Sequence, residues 1–99
     1  MPSYVFTYRH PKDQPLNMEA FEQWFQWFEQ IGEHITSQGS AVSTSRQLGN
    51  VDGSQRISGF TVISARDLDH AAQLAEGCPA LLDGQGIEVG ELLEIPAAA

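Results

Sequence analysis

The chain has 99 residues, with five Lys and Arg against thirteen Asp and Glu, a net charge of −8 and 41% hydrophobic residues. That length makes one domain over residues 1–96, burying about 60–65% of the surface its unfolded chain exposes, with Ala97-Ala98-Ala99 reading as a flexible tail. The acidic balance excludes nucleic acid and anionic membrane surfaces as partners that need a basic patch, and a lone cysteine, Cys78, excludes an internal disulfide and a multi-cysteine metal site.

Met1 to Phe6 shows no basic leader before an apolar run, and no apolar segment approaches the ~20 residues that span a bilayer. A cytoplasmic protein without a signal peptide is the expectation.

Ser3 to Arg9 (SYVFTYR) is aromatic and β-branched and reads as a strand, ended by His10-Pro11. A loop leads to Asn17, a helix N-cap, with Glu19 in the first turn. From Met18 to about Ser37 the pattern is helical, with Phe21, Trp24, Phe25, Phe28, Ile31 and Ile35 on one face and Gly39 as the stop. Trp27 falls at the flank of that face, where it edges a pocket or covers the rim of the core. Five of the nine aromatic residues lie on this helix, which makes it the main supplier of core volume.

Ser40 to Leu48 reads as a weaker, polar edge strand, and Gly49 to Ser54 as a turn. Ile57 to Ala65 is a strong strand. Asp67 caps a second helix with Leu68, Ala71, Ala72, Leu74 and Ala75 apolar, Gly77 as its terminal glycine and Pro79 as its block. Gly86 to Ile95 closes as a strand. The order βαββαβ predicts an α+β, ferredoxin-like fold: one antiparallel four-stranded sheet with two helices on one face. The strands are apolar on both sides, so the open face is expected to be covered by a second copy, giving a homodimer.

The segment Gly59 to Leu93 carries Gly59-Phe60-Thr61-Val62-Ile63, Asp67-Leu68-Asp69, Gly77-Cys78-Pro79 and Ile87-Glu88-Val89. With these motifs the chain resembles the short subgroup of the YCII-related family. The resemblance implies a dimeric α+β barrel, and chemistry on small aromatic or chlorinated compounds in a few relatives. The histidine and aspartate that some relatives pair along the first helix have no counterpart in Met18–Gln23 or Ile35–Gly39, and the D-G-P-F signature is reduced to Asp52-Gly53-Ser54.

The residues themselves point to few chemistries. The three histidines lack metal-ligand spacing, no Walker sequence or G-x-S-x-G elbow is present, and Gly84-Gln85-Gly86 precedes a strand rather than following one, so no cofactor or metal is expected. Cys78, at a helix C-terminus, reads as a buried packing residue. His34 and His70 read as surface residues. His10, just past the first strand beside Arg9, is the acid/base candidate; the alternative is a solvated loop histidine. The expected site is a pocket for a small aromatic or anionic molecule, with Arg9 holding an anionic group and Tyr8 and Trp27 as walls. The competing reading is a dimeric interaction or regulatory module without chemistry.

Overall fold

The computed structural model describes residues 1–14 and 20–95, and for Asp83 the backbone alone. The expected cap at Asn17, the acidic residue Glu19 and the tail 97–99 lie outside the described residues. Strand β1 spans Ser3–Pro11, helix α1 Phe21–Gln30, β2 Ile35–Ala41, β3 Gln55–Ser64, helix α2 Leu68–Ala75 and β4 Gly86–Glu91. Short 3₁₀ turns occupy Gly32–His34 and Pro79–Asp83.

The four strands form one antiparallel sheet in the order β2-β3-β1-β4, the ferredoxin-like arrangement. Along β1, half-buried and buried residues alternate, so Tyr4, Phe6, Tyr8 and His10 face the helices. Tyr4, Phe6 and Tyr8 pack with Ile63 of β3, Trp27 and Ile31 of α1 and Ala71 and Ala75 of α2, in one core on one side of the sheet. Alanines on the inner face of α2 let that helix approach closely, while α1 supplies the bulk. Trp27 joins the two helices: its ring stacks on Phe6 with centroids 5.9 Å apart, and its Nε1 donates to the Leu74 carbonyl at 3.0 Å.

The opposite face carries Val5, Thr7 and Arg9 on β1, with Val62 and Phe60 of β3 and Gly90 and Glu88 of β4 in register beside Val5 and Thr7. It is a mixed surface, apolar at its centre and charged toward the β4 side. No described helix is long and apolar enough to cross a membrane.

Several boundaries differ from those expected. Strand β1 continues through His10 and Pro11, which pair with Arg56 and Gln55. Beyond the Arg9–Gly86 pair the strand has no β4 neighbour, so a proline is tolerated at its end. Helix α1 stops at Gln30 rather than near Ser37: the chain turns at Gly32, and Ile35 opens β2 opposite Ile63. An interior glycine costs a helix about 1 kcal/mol relative to alanine, and the β-branched Ile35-Thr36 pair favours the strand that follows.

Strand β2 therefore lies five positions earlier than the Ser40 start, and residues 42–54 connect it to β3. That connection is held by the Gln47 amide, which donates to the carbonyls of Asp52 and Gln55, and by Asp52, whose carboxylate accepts from the Ser54 backbone N–H at 2.9 Å. Gly39 has φ +74° inside β2, where it serves an irregularity in the ladder rather than a helix end.

Asp67 caps α2 as expected, accepting the His70 N–H at 2.8 Å. The helix ends at Ala75 with Glu76 in helical conformation, and Gly77 does not adopt the left-handed geometry of a terminal glycine. Its role is proximity, since a Cβ there would stand 3.2 Å from the Trp27 ring. Strand β4 ends at Glu91, with one further bond from Leu92 N–H to the Ser3 carbonyl, and Leu93 and Ile95 are exposed.

Candidate functional site

Helix α1 buries one face against β1 and α2, and that choice decides where space remains. Trp27, 2% exposed, is the buried residue of the helix, whereas Phe25 is 62% exposed. Trp24, Phe28 and Ile31 complete the stripe, so the face is rotated from the one that included Phe25. Phe21 and Phe25 consequently overhang the β2–β3 side of the sheet. Beneath them the strands carry small residues, Gly39-Ser40-Ala41 on β2 and Ser58-Gly59 on β3. Large rings above small side chains leave a cavity of about 320 Å³, open at one side, with Tyr8, Trp24, Phe28 and Thr61 also in its wall.

Sheet irregularity helps to shape this cavity. Ser58 is an extra residue where the β1–β3 register shifts between Tyr8 and Arg9, and β2 shifts twice against β3. Two glycines allow the strands to come together there. A Cβ at Gly59 would lie 2.9 Å from the Ser40 carbonyl oxygen, and one at Gly39 would lie 1.8 Å from that of Phe60.

The inner wall is hydrogen-bonded. The Tyr8 hydroxyl donates to Thr61 Oγ1 at 2.7 Å, and Thr61 Oγ1 donates to the Gln38 carbonyl at 3.0 Å. The Tyr8 ring meets Trp24 edge-on, with centroids 4.7 Å apart. Burial pushes the Tyr8 phenol well above its usual pKa, so it stays protonated.

The structure brings together only part of the expected site. Tyr8 lies in the cavity wall. Arg9, its neighbour in β1, projects from the other face of the sheet, opposite Gly86, where its charge helps to hold the Asp52 carboxyl below the usual range beside the stronger effect of the Ser54 bonds. Arg9 and Tyr8 therefore do not meet one ligand within one chain. Trp27 is a core residue outside this cavity; it edges a shallow depression shared with Gly77 and Pro79. His10 is a buried strand residue, 1% exposed, rather than a loop residue. Burial lowers its pKa, and the nearby Arg56 adds to the effect. It does not line the cavity.

The residues that sequence reasoning missed are Phe21, Trp24, Phe25, Phe28 and Thr61. Their signal was the pairing of an aromatic helix face with two runs of small residues in the strands beneath.

The other histidines meet each other away from the cavity. The rings of His34 and His70 are 5.2 Å apart and perpendicular. His34 Nδ1 lies 3.3 Å from the Ser64 carbonyl, and His70 Nδ1 accepts the Arg66 N–H at 3.1 Å. That acceptance leaves the proton of a neutral His70 on Nε2, the reverse of what a metal at Nε2 requires. Among the described residues, no three His, Cys, Asp or Glu side chains converge as a metal site. Cys78 is buried, and burial raises its thiol pKa to about 12.

Comparison of the chain with protein-family models finds no match, and no curated protein matches it.

Proposed function

We propose that this protein binds a small, largely apolar organic molecule in the cavity between α1 and the β2–β3 side of the sheet, and that it does so as a homodimer related to the YCII-related proteins. The observation that carries the binding reading is the cavity's construction, with four aromatic side chains of α1 over small residues and a buried Tyr8–Thr61 pair. Its volume, about 320 Å³, falls at the lower end of the ~300–1,000 Å³ typical of small-molecule sites. Binding rather than turnover is the role these residues support: among the described residues the cavity wall offers no nucleophile with a base beside it, and the one titratable group there, Tyr8, keeps its proton.

The kinship rests on the Gly59–Leu93 motifs, and the strand order β2-β3-β1-β4 is in keeping with it. The dimer rests on the open sheet face, where Val5, Thr7, Val62 and Phe60 form an apolar centre that a second copy would cover.

Binding is tested by screening uncharged aromatic fragments against the folded protein by NMR. Fragments that bind are expected to shift the Trp24 indole resonance. The shift is expected to vanish in Ala41→Phe, whose ring would fill the cavity from the position paired with Gly59. Fragments that shift Trp24 equally in both proteins would place the binding elsewhere and refute the assignment.

A further inference from the structure

The polarity of the cavity wall carries information about the ligand beyond its size, on the reading that the cavity is a binding site. Two buried residues of the wall, Tyr8 and Thr61, bear hydroxyl groups, and each donates to an acceptor of the protein: Tyr8 to Thr61 Oγ1 and Thr61 to the Gln38 carbonyl. What these oxygens retain is lone pairs, and we take this pair as the inner end of the cavity. None of the described lining residues carries a charge, and the side-chain N–H donors in the wall, on Trp24, Gln38 and Gln85, belong to half-buried or exposed residues.

An occupant must satisfy this arrangement. A carboxylate at the inner end would face oxygen lone pairs, lose its hydration and find no counter-charge among the described lining residues. The chain's net charge of −8 adds to its exclusion. A molecule with an O–H or N–H group at one end would donate to the Tyr8–Thr61 pair while its apolar body lay against the rings of α1. We propose that the cavity selects an uncharged, flat apolar molecule carrying a hydrogen-bond donor at its inner end, and rejects acids.

The test uses three probes of similar shape, 4-ethylphenol, ethylbenzene and 4-methylbenzoate, titrated into the intact chain at neutral pH and followed by protein NMR. The expected order places 4-ethylphenol about tenfold tighter than ethylbenzene, the worth of one well-made hydrogen bond, and 4-methylbenzoate weakest. In Tyr8→Phe the preference for the phenol over ethylbenzene is expected to fall severalfold, while ethylbenzene binding persists. Thr61→Val provides the same reading should Tyr8→Phe fail to fold. Equal affinity for 4-ethylphenol and ethylbenzene would overturn the donor preference and leave the binding site standing. Binding of 4-methylbenzoate as tightly as the phenol would overturn the exclusion of acids. If none of the three perturbs the cavity residues of the folded protein, the binding site itself falls, and this inference with it.

Discussion

The Cys78 thiol lies in the core between the end of α2 and the Pro79–Asp83 turn, surrounded by Ala75, Ala80 and the aromatic layer. Taking a thiolate out of water costs more than taking out a thiol, which holds its pKa up at about 12. At pH 8 the folded protein is therefore expected to resist a thiol-specific reagent, and to react fully once unfolded in guanidinium. Rapid labelling of the native chain would contradict this burial.

His10 reports on the same physics with the opposite sign of charge. Burial and the Arg56 guanidinium disfavour its imidazolium, so its pKa in the folded state lies below that in the unfolded chain. The unfolded state then binds the extra proton first. Stability is complete above about pH 6.5, the ordinary histidine value, and declines as the pH falls below it toward the depressed folded value. Melting temperatures measured from pH 7.5 to 5 should decline more steeply for the native sequence than for His10→Gln. Parallel profiles would show that His10 does not contribute.

At this scale the sequence was only partly legible. The alternation of β1 was readable, as was Cys78 as a packing residue. The buried face of α1 was not, because Phe21 and Phe25 read as part of its apolar stripe although both are exposed. The stripe that packs is Trp24, Trp27, Phe28 and Ile31, at steps of three, four and seven from its first member. Trp27 thus belongs to the core, and Phe25 to the cavity wall.

Among the elements, α2 shows how local chemistry sets a boundary. It has eight residues, too few to persist alone, and its start depends on Asp67 accepting the His70 N–H. Replacing Asp67 by Ala should cost about 1 kcal/mol in denaturant-induced unfolding, whereas Asn, which caps as well, should restore most of that loss. Equal destabilisation by both would point away from capping. The cap was legible because Asp followed by an apolar periodic run is a local signal. The start of β2 was harder, since the apolar periodicity runs past Gly32 through Ile35 to Gly39, which reads as the stop. What decided it was a long-range pairing, Ile35 with Ile63, that no local window contains.

Considered as a whole, the described residues leave one sheet face covered by helices and the other uncovered, and the order of elements was enough to foresee that asymmetry. It was not enough to foresee the cavity, which depends on the rotation of α1 and on small residues distant in sequence. If a second copy covers the open face, light scattering at micromolar concentration should give twice the 10.9 kDa chain mass. Val62→Lys, which sets a charge opposite Val5 at the centre of that face, should yield the single-chain mass with unchanged far-ultraviolet circular dichroism. A single-chain mass for the native sequence would refute the dimer.

The two tryptophans stand three residues apart on α1, one sealed beneath the helix and the other in the cavity wall. The chain thus contains its own pair of optical probes. Acrylamide should quench the emission of Trp24 while leaving that of Trp27 dark to it, so the quenchable fraction follows occupancy of the cavity and the protected fraction follows the integrity of the fold.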